Sequence, residues 1–290
     1  MVKIRSSVSD RVFVAFVHAA LGVTGMLVVL PFLYVIAVSL TPFSEVLRHG
    51  GFLLVPRQIT FEAYVQFLTR STIPKAYLVT VMLTLCGTAV NLILTTLLAY
   101  PLSRKTLPGR GALLVFIVVP MVFAGGIIPT YVIVRSLGLL DSYLSLILPG
   151  AVWTYNAIVM KTFFEGMEAG LLEAARIDGA GEFTVLFRII LPLSLPVMTT
   201  IGLFYGVAHW NQFFAPIMYL TTRGKYPLQP ILREIIMGAE NAAVDAVEYS
   251  VPPDTLKMAA VVMTALPVLL VYPFLQKHFT QGVLLGSLKG

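Results

Sequence analysis

Six apolar runs, none containing an aspartate or glutamate, leave this chain one solvent for most of its length, and that solvent is lipid. The runs cover residues 13–40, 76–102, 111–134, 144–164, 189–220 and 258–277. Each meets the roughly 20 apolar residues that a helix needs to cross a bilayer core, and the longer ones leave room for tilt or an interfacial extension. Charged residues make up only 12% of the chain, about half the share of a soluble domain. The expected fold is therefore an all-α membrane protein of six transmembrane helices, forming one domain over residues 1–290. Prolines such as Pro31, Pro120, Pro149, Pro192, Pro196 and Pro267 lie inside these runs. They predict kinks, which membrane helices tolerate where neighbours satisfy the freed carbonyls.

The N-terminus carries Lys3, Arg5 and Arg11 ahead of the first run. That run is too long for a signal-peptide core and no small-residue cleavage pattern follows it, so it reads as a retained span. The net charge of +6 is scattered between apolar runs and forms no stripe, which argues against nucleic acid. The single cysteine, Cys86, excludes a disulfide framework and a Cys-based metal site, and reads as core filling.

Other absences narrow the chemistry further. An ion-coupled carrier needs ionisable groups on its pathway, and the runs hold no carboxylate. An intramembrane protease needs paired carboxylates or a zinc-binding His-Glu-x-x-His, and neither is present. There is no G-x-x-x-x-G-K-[ST] loop to cradle nucleotide phosphates. Such a chain is either a passive channel or is driven by a partner.

Charge supports an orientation with the N-terminus inside. Inner segments then hold 11 Lys/Arg and outer segments 9, and the short inner loop with Arg104, Lys105 and Arg110 contrasts with Arg135 alone in the next loop. Outside, Thr60 precedes Phe61–Leu68 as the N-cap of an interfacial helix. Pro227-Leu228-Gln229-Pro230 precedes a short helical pattern in the long polar segment 221–257.

The segment between the fourth and fifth runs carries the strongest signal. Gly170 is positioned as an N-cap, and Glu173 sits in a first turn where the helix dipole favours an anion. Gly179 is positioned to end the helix in the left-handed conformation. The result is a two-turn helix outside the bilayer, with Ala174 and Ala175 giving it a slim face. Glu173-Ala174-Ala175, then Gly179, then Ile189-x-Leu191-Pro192 match the EAA motif of ABC importer permeases. Seven fixed positions agree by chance with odds on the order of 10⁻⁸ per start at average residue frequencies.

The rest of the chain resembles the permeases of carbohydrate importers akin to the G subunit of the maltose importer. The residues that carry this are Pro129-Thr130-Tyr131, Leu137-Gly138-Leu139-Leu140-Asp141, Trp210-Asn211-x-Phe213-Phe214 and the tail from Gln281 to Gly290. Lys225-Tyr226-Pro227-Leu228 and Val271-Tyr272-Pro273-Phe274-Leu275 resemble the polysaccharide-importer subgroup, one member of which handles alginate oligosaccharides.

This resemblance implies a type I importer permease fold and a transport subunit rather than an enzyme. It implies a coupling helix over 171–179 that docks on a cytoplasmic ATPase through Leu171, Leu172, Glu173, Ala174, Ala175, Asp178 and Gly179. It also implies a second permease, two ATPase subunits that hold the ATP and magnesium, an external solute-binding protein, and a place in the bacterial inner membrane with both termini in the cytoplasm. No cofactor is expected on this chain. For Gly282, Gly286 and Lys289 two readings stand side by side: a tail reaching between the two ATPases, or close packing of the last helix.

The substrate path is sought among polar and aromatic groups at membrane depth: Trp153 and Asn156, then Tyr205, His209, Trp210 and Asn211. Aromatic faces suit the apolar side of a sugar ring, and Asn or His suits its hydroxyls. The competing reading for each is helix packing, which is also assigned to Asn91 and His18. An importer permease for a non-sugar solute and a passive channel stay open as alternatives.

Overall fold

The computed structural model describes residues 8–69, 72–123, 125–167, 169–241 and 253–287. The α-helices among them are α1 (Val8–Ser39), α2 (Phe43–Arg48), α3 (Glu62–Thr69), α4 (Thr72–Ser103), α5 (Arg110–Val122), α6 (Ile127–Ser136), α7 (Leu144–Ile147) and α8 (Thr154–Glu165). They continue with α9 (Ala169–Ile177), α10 (Glu182–Val185), α11 (Leu191–Leu193), α12 (Leu195–Trp210), α13 (Phe214–Tyr219), α14 (Leu228–Asn241) and α15 (Pro253–Ser287).

The first two apolar runs are single helices. α1 and α4 have 32 residues each, about 48 Å at 1.5 Å per residue, which exceeds a hydrocarbon core of roughly 30 Å. Among the described residues only these two pass alone as spans by length and composition, while α5 with α6, and α10–α11 with α12, pass as bent pairs.

Three runs expected as continuous helices are broken, each for a local reason. Run 111–134 stops after α5 and resumes at α6, because Gly126 takes φ +83, a conformation that ends a helix and suits glycine. Run 144–164 is interrupted by a 3₁₀ turn, Leu148–Gly150, and non-helical residues up to Trp153. Pro149 has no N–H to continue the ladder. Run 189–220 bends by 79° at Ser194, which lies between Pro192 and Pro196, and a π-turn over Leu186–Ile190 precedes the bend. The sixth run lies within the longer α15, which carries Pro267 and Pro273 internally.

Contacts divide the chain into two compact units, Met1–Arg70 with Glu234–Leu266 and Ser71–Arg233 with Pro267–Gly290. In the first unit α1 is apolar on every side, with Phe16, Leu21, Met26 and Leu27 all exposed, as befits a helix solvated by lipid or by another chain. His18 is exposed on it and bonds its own helix, Nδ1 lying 2.7 Å from the Val14 carbonyl. The Thr60 hydroxyl accepts from Glu62 N–H at 3.3 Å, so the expected cap opens α3. Ser39 Oγ and Tyr64 Oη share a 2.6 Å hydrogen bond that ties the end of α1 to α3.

In the second unit α4 packs between α8 and α12. Small residues allow the α4–α12 approach: a Cβ added to Gly202 would lie 3.3 Å from Leu92 Cδ1, and one on Gly206 3.6 Å from Thr88 Oγ1. Ala99, Tyr100, Met160, Phe164, Val185 and Ile190 form a buried cluster at one end of these helices. Cys86 is exposed on α4, so it fills no core. It lies on the exposed flank of the helix face that buries Leu83 and Gly87.

At the other end of the unit, Asp141 holds two loops together. It adopts φ +56, which aspartate tolerates better than most residues. Its carboxylate accepts from Thr221 N at 3.1 Å, Thr222 N at 2.9 Å, Thr222 Oγ1 at 2.8 Å and Lys225 Nζ at 2.7 Å. Lys225 and then the Thr222 donors hold this carboxyl well below the usual carboxylate range.

Candidate functional site

Two features of the second unit hold the residues that the sequence singles out. The first is α9. Gly170 lies inside this helix, which starts at Ala169, so it is not the cap; an end residue shifts readily by one or two positions. The C-terminal stop is as expected. Gly179 takes φ +81, Ala180 N–H donates to Ala175 O at 2.9 Å and Asp178 N–H to Ala174 O at 3.0 Å, the bond pattern of a Schellman stop.

Leu171 and Leu172 lie on the helix backbone, their side chains outside the described residues. Glu173, Ala174, Asp178 and Gly179 are exposed, whereas Ala175 is half-buried. Ala175 and Ala180 pack on the cluster around Tyr100 and Met160. The helix is thus seated by its small residues and shows an acidic face outward. Ile177 beside that face is 86% exposed and Phe183 just beyond it 77%, an apolar surface that sequence reasoning passed over. In the tail, Gly282 and Gly286 lie on the α15 backbone and Lys289 is outside the described residues.

The second feature is a cavity of about 260 Å³ at the break between α7 and α8, lined in part by Asn91, Trp153, Tyr205, His209, Gln212 and Tyr219. The break frees main-chain groups from the helical ladder, and each one left unsatisfied away from water is costly. Side chains of other elements take them up. Gln212 Nε2 donates to Leu146 O at 2.9 Å, Asn91 Nδ2 to Gly150 O at 3.4 Å, and Trp153 N–H donates to Tyr205 Oη at 2.9 Å. Tyr205 Oη also bonds Thr95 Oγ1 at 2.8 Å. Asn91 Nδ2 lies 3.2 Å from His209 Nε2; with the amide donating, the ring nitrogen accepts.

His209 sits tightly against α4, since a Cβ on Gly87 would fall 2.5 Å from its Nε2. Asn91 Oδ1 and Gln212 Oε1, both on cavity-lining residues, find no donor among the described residues. Among the described residues, no carboxylate, lysine or arginine lines the cavity. Aromatic rings beside neutral amides form a surface suited to a polyhydroxylated ligand or to water.

The structure therefore brings Trp153, Tyr205 and His209 together and separates the other candidates from them. The Trp153 and Tyr205 rings lie 5.2 Å apart. Trp210 turns to another face and meets the Tyr77 ring edge-on at 5.6 Å. Asn211 is exposed and bonds Val207 O of its own helix at 2.9 Å. Asn156 is fully buried in α8, its amide without a partner among the described residues. Asn91, read from sequence as packing, and Gln212, not singled out there, are the polar residues that hold the break together. The proline in the fourth run was the available signal for them, since it predicts carbonyls in need of donors.

Comparison with known proteins agrees over nearly the whole chain. The chain is 44% identical over 285 residues to the polygalacturonan/rhamnogalacturonan transport system permease protein YtcP of Bacillus subtilis (strain 168), covering 97% of this chain and 99% of that one. It is 43% identical over 285 residues to protein LplC of the same organism, covering 97% and 96%. It superposes with a TM-score of 0.88 on a chain of a bacterial ABC transporter involved in the import of the acidic polysaccharide alginate, at 31% identity, covering 96% of this chain and 100% of that one. The family model for the binding-protein-dependent transport system inner membrane component matches residues 5–285. With the helical architecture, the EAA loop and the sequence agreeing from one end to the other, the chain belongs to this family, the permeases of ABC importers.

Proposed function

We propose that this chain is one of two permeases in an ATP-driven importer that carries oligosaccharides of an acidic polysaccharide from an external solute-binding protein into a bacterial cytoplasm. The observation that carries the cargo is the agreement of two independent relatives. A permease named for polygalacturonan and rhamnogalacturonan and a transporter of alginate both align over nearly the full chain, and all three polymers contain uronic acids.

In this reading the chain forms one permease domain over 1–290 with six spans in the inner membrane and both termini in the cytoplasm. Two ATPase subunits bind the ATP and magnesium, and this chain holds no cofactor. The outward face of α9, with Glu173, Ala174 and Asp178 at its centre and Leu171 and Leu172 on the same helix, docks on one ATPase. Closure of the ATPase pair on ATP moves α9 as a lever, and Gly179 fixes where that lever ends. Its seat on the Tyr100–Met160 cluster supports this role, because a lever transmits motion only if it is packed on what it moves. For Gly282, Gly286 and Lys289, contact with the ATPase pair and packing of the last helix are both retained. The sugar path is proposed at the cavity of Trp153, Tyr205 and His209, with Trp210 and Asn211 on other faces. Its aromatic rings and neutral amides suit the ring faces and hydroxyls of a sugar.

The test is reconstitution of the full complex in liposomes, with ATPase activity measured as binding protein is added. Binding protein loaded with oligogalacturonate should stimulate hydrolysis, and a neutral oligosaccharide of equal length should do so less. Stimulation by an amino acid or peptide and by no glycan overturns the cargo. Orientation is read separately in a Cys86→Ser background. Cysteines at Gly109 and Ala180 should resist an impermeant maleimide applied to spheroplasts, and one at Gly224 should react.

A further inference from the structure

The basic turn between α4 and α5 does more than bias topology. Downstream of α9, Tyr100 Oη donates to Glu182 Oε2 in the first turn of α10. Arg104 Nη2 donates to Tyr100 Oη at 2.7 Å and lies 3.8 Å from Glu182 Oε2, its guanidinium carbon 4.5 Å from the centre of the Tyr100 ring. Upstream of α9, Glu165, the last residue of α8, is bonded by Arg110 Nη2 through one oxygen and by Lys161 Nζ at 2.7 Å through the other. The turn itself is held closed, because Arg110 Nε donates to Leu102 O at 2.8 Å.

We infer that residues 100–110 form a brace that grips the coupling helix at both ends, with Tyr100, Arg104 and Arg110 as positioning residues that convert its motion into motion of α4 and α5. This rests on the proposed docking of α9 on the ATPase. The physical case has three parts. Glu165 and Glu182 flank the helix, four residues before Ala169 and five after Ile177, so both exits of the lever are tied. The ties are only partly hydrated: Tyr100 is 8% exposed, and the Arg104, Arg110 and Lys161 side chains 17%, 24% and 14%. Partly buried charge-assisted bonds hold geometry better than surface pairs. Both ties converge on one short turn whose ends are α4 and α5, and α4 carries Asn91 and Thr95 to the cavity. A connected path therefore runs from the residues flanking the lever through α4 to the cavity.

Lys105 supplies an internal control. It lies in the same turn and bears the same charge, but it is exposed and pairs with no described carboxylate.

The experiment uses the intact complex in liposomes. Tyr100→Phe and Glu165→Gln each cut one tie at nearly constant volume, and Lys105→Gln removes charge without cutting any. Expected is a fall of at least about fivefold in the ratio of binding-protein-stimulated to basal ATPase for Tyr100→Phe and for Glu165→Gln, with ATPase subunits still co-purifying in wild-type proportion. Arg110→Lys, which preserves the charge pair, should fall less than Arg110→Gln, and Lys105→Gln should match wild type. Wild-type ratios in both tie-cutting variants overturn the brace, as does an equal loss in Lys105→Gln, which would assign the effect to net charge. If Tyr100→Phe fails to assemble, Glu182→Gln reads the same tie from its half-exposed side. Failure of the coupling-helix reading itself is separately visible as normal uptake by Glu173→Lys.

Discussion

The side-chain amide of Gln212 donates to the main-chain carbonyl of Leu146 at 2.9 Å, across 66 positions of sequence. The fourth run is thus completed by groups it does not contain. Replacing Gln212 with leucine preserves volume and strips the donor, leaving the carbonyl of buried Leu146 unsatisfied. The expected cost is about 1–2 kcal/mol, read as a lower unfolding midpoint of the purified complex. An unchanged midpoint would mean that water replaces the amide without loss.

Gly87 is required by His209. In Gly87→Ala the new methyl must displace an imidazole whose Nε2 would lie 2.5 Å away, and overpacking of this kind costs about 1–3 kcal/mol. His209→Ala alone loses the Asn91 contact. Combined, the two substitutions should destabilise less than their sum, by at least about 1 kcal/mol of coupling in a thermal-denaturation cycle. Strict additivity would show that the ring sits elsewhere.

At the end of α9 the backbone sign decides which residues are tolerated. Gly179→Val forces a β-branched residue into φ +81, at about 1–2 kcal/mol. Gly179→Asn places a residue that visits this region readily. Uptake and stimulated ATPase should be lost in the valine variant and largely kept in the asparagine one. Equal activity of the two would detach coupling from the stop.

The Asp141 clasp predicts a one-sided pH response. Lys225 and Thr222 lower the folded carboxyl below its unfolded value, so its stabilisation is complete above the unfolded pKa of about 3.9. It fades as pH falls through that value toward the folded one. Asp141→Asn should therefore lower the unfolding midpoint at pH 6 and at pH 8 equally. Its difference from wild type should shrink only below about pH 4. A difference that grows toward low pH would contradict the clasp.

What could be read from the chain divides by distance along it. The stop at Gly179 and the cap at Thr60 are decided within a few residues, and both stand where glycine and threonine predict them. The lengths of α1 and α4 follow from the apolar runs. The supports of the broken run were hidden because Asn91 and Gly150 are 59 residues apart, and Trp153 and Tyr205 are 52. A single sequence carries no sign of such pairings. The cluster His209-Trp210-Asn211 misled for a geometric reason: successive residues turn by about 100° on a helix, so three neighbours face three ways. Here they face the cavity, the Tyr77 ring and the exposed surface.

The order of synthesis gives the broken fourth run an unfinished period. When it leaves the ribosome, Asn91 is already in the membrane and can take the Gly150 carbonyl. Tyr205, the partner of Trp153 N–H, comes 52 residues later, and Gln212, the partner of Leu146 O, comes 66 residues later. At about 5–20 residues per second this is an interval of roughly 3–13 s. Until then two main-chain groups must be kept wet by the insertion machinery or by the membrane interface, since lipid offers them nothing. The fourth and fifth runs are therefore expected to leave the translocation channel together, as one hairpin around the nascent α9.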